Sequence, residues 1–135
     1  MKKHIVSTPK EFIFGGKAEF TIKNVSSGNL YKYQVTRCKT KDNVFFVKVK
    51  KGHDWEYAGF LDNKTMKYIR GNKGKLDNDT PAIKGLIYAI NKGNTPLPQP
   101  MTMIHHGKCA CCGKKLDDEQ SIERGFGPVC FSRLF

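Results

Sequence analysis

The stretch KAEFTIKNVSSGNLYKYQVTR, residues 17–37, decides the fold because it reads as two β-strands joined by a turn. Apolar and polar side chains alternate from Ala18 to Ile22 and again from Tyr31 to Val35. A period of two is typical of a strand that buries one face, and the turn residues SSGN lie between the two runs. The stretch therefore predicts an antiparallel hairpin with one face in the core.

The residues that follow extend this hairpin to a sheet of about five strands. The segments VFFVKVK (44–50), WEYAGFL (55–61) and TMKYIR (65–70) carry β-branched and aromatic residues between short turns. Short connections favour an antiparallel meander. Within the fourth strand, we predict that Trp55 and Tyr57 point inward.

Helix signals flank the sheet. Thr80 and Pro81 form a cap-and-proline start, and Gly93 stands where a helix that begins there would end. The apolar stripe between them has helical spacing and consists of Ile83, Leu86, Ile87 and Ile90. A shorter helix is predicted to begin in STPKEF, residues 7–12. One amphipathic helix packed on an antiparallel meander of about five strands predicts an α+β fold.

The chain is predicted to divide into three parts. Residues 1–94 hold the α+β sheet domain, and residues 95–104 hold a proline-rich linker and lead-in that contains TPLPQP. Residues 105–135 carry four of the five cysteines and form a small C-terminal module.

The charge of the chain is strongly positive, with 24 Lys and Arg against 12 Asp and Glu and a net charge of +12. Such a surplus attracts phosphate or acidic protein surfaces. No stretch has the roughly 18 to 20 apolar residues of a membrane span. We therefore expect a soluble, intracellular protein with no membrane partner.

The cysteines have the spacing of a metal site. Cys109 and Cys112 are separated by two residues and followed by Gly113, which permits the positive φ of a tight knuckle, and Cys130 follows GFGP. Clustered cysteines in a reducing compartment are metal ligands more often than disulfides. One structural zinc ion with four protein ligands is predicted, which leaves no open position for catalysis.

Several residues compete to be the fourth ligand. His105 precedes Cys109 by four positions and His106 by three, so both are within reach. Cys111 lies inside the knuckle and is predicted to pack as a small side chain, and Cys38 is distant in sequence.

We expect chelation of the metal to leave the core of residues 18–93 folded.

The segment HHGKCACCGKKLDDEQSIERGFGPVC, residues 105–130, resembles the C-terminal zinc module of a family of small phage, prophage and bacterial proteins of uncharacterised function. The matching positions are His105, Gly107, Cys109, Cys112, Gly113, Lys114, Leu116, Ser121, Ile122, Gly125, Gly127, Pro128 and Cys130. This resemblance implies zinc binding, a phage or prophage origin and, with it, the cytoplasm of a bacterial host cell as the location. It also favours His105 as the fourth ligand. Lys114 departs from the arginine that the family pattern has there.

A binding surface is predicted on the polar side of the sheet. Its candidate residues are Lys23, Lys32, Lys48, Lys50, Phe46 and Phe60. Lysines that contact phosphates beside aromatic rings that stack on bases are what single-strand binding requires. In the alternative interpretation, the two phenylalanines lie under the zinc module as a second small core.

The sequence predicts a binding protein and not an enzyme, because no nucleophile with a base, no paired carboxylate frame and no open metal site is recognisable. With the phage resemblance, the first hypothesis is an inhibitor of a nucleic-acid-guided defence nuclease, an anti-CRISPR protein of Cas9 type. Such an inhibitor would dock on an acidic protein surface or a nucleoprotein complex. The alternatives are a single-stranded DNA- or RNA-binding module and an accessory of a metal-dependent nuclease.

Overall fold

Six antiparallel β-strands form one curled sheet in the computed structural model of the protein, which describes residues 4–135. The strands are β1 (Lys17–Asn24), β2 (Leu30–Arg37), β3 (Val44–Lys51), β4 (Asp54–Asp62), β5 (Lys67–Ile69) and β6 (Met101–His105). Their order in the sheet is β5-β4-β3-β2-β1-β6. The predicted meander is confirmed for the first five strands, and β6 joins it beside β1.

Helices occupy both ends of the described chain and the connection between β5 and β6. They are α1 (Pro9–Ile13), α2 (Pro81–Asn91), α3 (Glu119–Arg124) and α4 (Pro128–Leu134). α2 begins after Thr80 as predicted, and Gly93 has a positive φ of 73° just beyond its end. The α+β fold class is therefore confirmed. Within residues 4–135, no helix has the length and apolar character to cross a membrane.

The core lies between α2 and one face of the sheet. The strand residues that alternate inward, among them Phe20, Tyr33 and Val47, are fully buried. The hydroxyl of Tyr33 donates a hydrogen bond of 2.7 Å to the carbonyl oxygen of Ala82. This bond satisfies a buried polar group and ties the middle of the sheet to the first turn of α2.

β6 arises from the segment that was predicted to be a linker and lead-in. Met101–His105 pairs with β1, and Phe20 lies opposite His105 in the register. Burial of Met103 and His105 shows the period of two that marks a strand. The prolines from Pro96 to Pro100 precede this strand, and they hide its pattern in the sequence.

The C-terminal residues share the core of the sheet domain. Cys109, Ala110 and Phe126 are buried in the same apolar cluster as the strand residues. The amide of Lys17 donates a 2.7 Å hydrogen bond to the carbonyl oxygen of Ala110. A Cβ added at Gly15 would lie 2.7 Å from that oxygen, so only glycine allows this close approach. The predicted boundary between residues 1–94 and 105–135 therefore does not separate two cores.

A bulge in β4 changes which side chains face the core. The register shifts between Val47 and Lys48, so that Lys48 lies opposite Tyr57 and Lys50 opposite Trp55. Residues directly opposite in an antiparallel pair share a face. The prediction that Trp55 and Tyr57 point inward is therefore wrong, because the bulge places both on the polar side with the lysines.

Both edges of the sheet are partly covered by other backbone. At the outer edge of β6, Ile5 forms a bridge with Ile104, and the amide of Val6 donates to the Met103 carbonyl at 2.8 Å. On the opposite side, the amides of Lys75 and Leu76 donate to carbonyls of β4 beyond the short β5.

Candidate functional site

Three cysteine sulfurs converge at the C-terminal end of the fold. The thiol sulfurs of Cys109, Cys112 and Cys130 all lie within 4.8 Å of one another. Cys109 and Cys130 are buried, and Cys112 is partly exposed. Three thiols at this separation can bind one metal ion, since thiolates take soft metals such as zinc at about 2.3 Å. These residues are named the three-cysteine cluster below.

The local sequence builds this cluster in two pieces. Cys109 opens a tight knuckle in which Gly113, at φ 79°, returns its amide to the Cys109 carbonyl at 2.9 Å. The amide of Cys111 points at the Cys109 sulfur at 3.4 Å. Cys130 lies in the first turn of α4, which begins at Pro128.

The thiol of Cys109 is prepared to lose its proton. Burial raises its pKa, but amide groups of Gly127, Cys112 and Cys111 donate to the sulfur, and the pKa of Cys109 falls below its ordinary value. Hydrogen bonds from amide groups stabilise a thiolate, which is the form of cysteine that binds a metal ion. This arrangement fits a metal-ligating thiolate better than a buried neutral cysteine.

Cys130 behaves differently. Burial and the neighbouring thiols of Cys111, Cys112 and Cys109 raise the pKa of Cys130 to about 12. Cys130 lies in the first turn of α4, where the helix N-terminus favours a thiolate. Without a cation, the repulsion between a Cys130 thiolate and the Cys109 thiolate outweighs the stabilisation from the helix N-terminus. The Cys130 thiol would therefore lose its proton on binding a metal ion.

The structure does not place His105 in the three-cysteine cluster. One ring nitrogen, Nε2, lies 2.5 Å from the Ile122 carbonyl oxygen and donates to it. The other, Nδ1, accepts from the amide of Gly107 at 2.9 Å. Because both nitrogens have backbone partners, the structure does not bring His105 to the three thiols, and the arrangement favours a structural role over the predicted role as fourth ligand.

His106 is equally committed elsewhere. Its Nδ1 lies 2.9 Å from a carboxylate oxygen of Glu19, and its Nε2 lies 2.8 Å from the Thr21 hydroxyl. Cys38 lies at the end of β2, where its sulfur contacts the Thr40 hydroxyl at 3.5 Å. Among residues 4–135, Cys111 is a further donor beside the cluster, and its thiol interacts with that of Cys130. Asp117 and Asp118 line the same cavity as the three cysteines. The structure therefore leaves the fourth position open to one of these residues or to a donor from solution.

A second candidate site covers the polar side of the sheet. We call it the lysine–aromatic face and define it by Lys23, Lys32, Lys48, Lys50, Phe46, Trp55, Tyr57 and Phe60. The structure brings all six residues predicted for this surface onto it. Trp55 and Tyr57 were missed because the sequence pattern contains no mark of the bulge.

Cross-strand pairing sets the order of these side chains. Phe46 lies opposite Phe60, and the next outward positions pair Lys48 with Tyr57. The rings of Phe46 and Tyr57 meet edge to face, with centroids 6.1 Å apart. At the far end, the Lys50 ammonium lies 5.5 Å from the ring centroid of Trp55. Aromatic rings and positive charges are thus interleaved along two strands.

The aromatic rings of this face are accessible to solvent. Phe46 is 38% exposed, and Trp55, Tyr57 and Phe60 are half-buried. None of the four belongs to the buried core cluster. The C-terminal residues instead pack beside α1, where the rings of Phe12 and Phe126 meet with centroids 6.1 Å apart. The alternative in which the two phenylalanines form a second core under the zinc module is therefore wrong.

The negative charge of one acidic side chain on the same side of the sheet is balanced by its neighbours. Glu19 lies beside His106, and its other oxygen accepts from the Gln34 amide at 3.1 Å and lies 3.7 Å from the Lys108 ammonium. Partial burial raises its pKa, but these hydrogen bonds lower the pKa of Glu19 below its ordinary value. The negative charge of Glu19 is therefore balanced by these partners and offsets little of the positive charge of the lysines.

Comparison with known proteins adds a family for the C-terminal segment. Residues 104–135 match a family of unknown function, DUF6011. The matched residues include the three-cysteine cluster, α3 and α4, and the match agrees with the predicted resemblance to an uncharacterised family. No curated protein and no solved structure gives a significant match.

Proposed function

We propose that this protein binds single-stranded nucleic acid across the lysine–aromatic face and that a structural zinc ion stabilises its C-terminal segment. The observation that carries the binding proposal is the presence of four accessible aromatic rings in register with lysines on one side of a sheet. Bases stack on such rings, and lysines contact the phosphates between them.

The kind of cation indicates how the face would read its ligand. Lysine offers a compact charge without the planar fork with which arginine recognises guanine. The lysines of the face therefore suit the phosphate backbone, and stacking accepts every base. We expect binding with little sequence preference and with a strong dependence on salt.

The test is fluorescence anisotropy of labelled single- and double-stranded oligonucleotides over a salt series. We expect the double variant Lys48→Ala/Lys50→Ala to weaken single-strand binding and to lower the slope of log K against log salt by roughly 1.4, since each contact on a single strand contributes about 0.7. The matched control is Lys84→Ala, an exposed lysine on α2, on the other side of the sheet. An unchanged slope in the double variant would refute the proposal.

The zinc proposal rests on the thiol donor set. Thiolates favour zinc over magnesium or calcium, and amide donors to Cys109 support a thiolate in the knuckle. With three or four protein donors and Cys130 buried, the ion would hold α4 against the knuckle. Metal analysis of purified protein is expected to give one zinc per chain, and iron or no metal would contradict it.

The hypothesis of a defence-nuclease inhibitor, with Cas9 as the named target, stays a prediction, as do a phage origin, an accessory role beside a metal-dependent nuclease and the absence of enzymatic activity. The exposed aromatic rings favour direct nucleic-acid binding over these alternatives. An inhibitor that docks on an acidic protein surface needs the lysines but does not need aromatic rings on which bases can stack. Failure of every oligonucleotide to bind would return the inhibitor hypothesis to first place.

A further inference from the structure

A cavity of about 320 Å³ lies at one end of the lysine–aromatic face. Its floor consists of the rings of Phe46, Tyr57 and Phe60, and its walls are the β2–β3 turn and the loop that follows β5. This volume is at the lower end of the roughly 300–1,000 Å³ found for small-molecule sites. It suits a single base and not a longer stacked segment.

The charge around this cavity has one sign. The basic residues that line it are Lys41, Arg70 and Lys73, and no aspartate or glutamate is among its lining residues. An aromatic floor with a cationic rim complements a flat base attached to a phosphate.

The loop that forms one wall is fixed in place. Arg70 donates from Nε to the Gly74 carbonyl at 3.2 Å, and the Tyr68 hydroxyl donates to the Leu76 carbonyl at 2.7 Å. A Cβ at Gly74 would overlap the carbonyl oxygens of Arg70 and Ala58, so the loop approaches β4 as closely as a glycine permits. The wall is therefore formed before any ligand arrives, which reduces the ordering cost of binding.

The same loop also contacts the aromatic floor. A Cβ built on Gly71 lies 3.5 Å from the ring of Phe60. Gly71 has a φ of 68°, a conformation that side-chain-bearing residues rarely adopt, so the backbone turn at this position favours glycine. Gly71 and Phe60 thus lie side by side in the lining of the cavity.

From this geometry we propose that the cavity is a base pocket: it takes one unpaired nucleobase onto Phe46, Tyr57 and Phe60 while Lys41, Arg70 and Lys73 contact the adjoining phosphates. This inference rests on the proposed single-strand binding and adds to it a fixed anchoring point. The strand would run from this pocket along Lys48 and Lys50 toward Trp55, which stands at the other end of the face.

The test uses the intact protein and an oligothymidylate of about twelve nucleotides in which thymine is replaced by 5-iodouracil. Ultraviolet irradiation attaches that base to an aromatic side chain in contact with it, and mass spectrometry locates the attachment. We expect attachment at Phe46, Tyr57 or Phe60. Attachment confined to Trp55, or spread over residues outside the pocket, would overturn the pocket while leaving single-strand binding intact.

Variants give a second, independent readout. Phe60→Ala is expected to weaken binding of the unmodified strand by about ten-fold, the effect of losing one stacked base. Tyr88→Ala is the control, because Tyr88 is an accessible aromatic residue that lies on α2, on the other side of the sheet. Lys73→Ala is expected to weaken binding and to retain attachment at the pocket. If wild-type protein binds no strand at all, both the pocket and the proposed function fail; equal affinities of Phe60→Ala and wild type refute the pocket alone.

Discussion

At the scale of single residues, His105 has the sequence spacing of a metal ligand, but its ring is held by backbone groups of the protein. His105 is 1% exposed, and its ring stacks between His4 and Phe12 at centroid distances of 4.9 and 5.8 Å. Burial lowers its pKa, although the hydrogen bond to Ile122 opposes this, so the ring is neutral. A neutral ring can donate from Nε2 and accept at Nδ1, which is what its two backbone partners require.

We predict that cobalt substitution will separate the roles of His105 and Cys112. His105→Asn is expected to keep one metal per chain and the same cobalt–thiolate absorption, with a loss of about 1–3 kcal/mol in unfolding free energy from the unpaired backbone groups. Cys112→Ser is expected to lose the metal. Cys38→Ser, outside the cluster, is the control and should change neither property. A shifted cobalt spectrum in His105→Asn would restore that residue as a ligand.

At the scale of elements, the loop after β5 depends on Gly74. We predict that Gly74→Ala lowers the unfolding free energy by roughly 1–3 kcal/mol, because the added methyl overlaps backbone on both sides and something must move. Chemical denaturation measures this effect. Gly85→Ala in α2 is the control, since its Cβ would meet the Tyr33 hydroxyl at an ordinary 3.4 Å and alanine favours a helix. Equal losses in the two variants would contradict the steric explanation.

The elements also show what sequence pattern can predict. Alternation predicted β1 and β2, strand-forming residues between short turns predicted β3 to β5, and the Thr80–Pro81 start predicted α2, because these signals are local. The direction of Trp55 and Tyr57 was not predictable, since a bulge shifts the register by pairing with another strand.

Two further features depended on contacts distant in sequence. β6 follows a run of prolines and becomes a strand only because β1 has a free edge. The cysteine spacing predicted the three-cysteine cluster. The fate of His105 was set by the carbonyl of Ile122, which lies 17 positions away, and spacing carries no information about it.

At the scale of the whole molecule, the shared core predicts one cooperative unfolding transition. Cys109, Ala110 and Phe126 pack in the same cluster as Phe12 and Phe20. Removing the metal should therefore lower the melting temperature of the entire chain. This differs from the expectation from the sequence, in which chelation leaves the core of residues 18–93 folded. Calorimetry with and without a chelator checks this. Two separated transitions, or a sheet whose melting is unchanged by chelation, would show that the segments fold independently.

The backbone that covers both edges of the sheet has a consequence for the behaviour of the protein in concentrated solution. Open strand edges invite pairing with other chains and lead to fibrous aggregates. Here Ile5 and Val6 satisfy groups of β6 at one edge, and Lys75 and Leu76 satisfy groups of β4 at the other. With a charge of +12 adding mutual repulsion, these contacts disfavour self-association through the covered parts of both edges, even though the folded chain leaves a row of aromatic rings open to water.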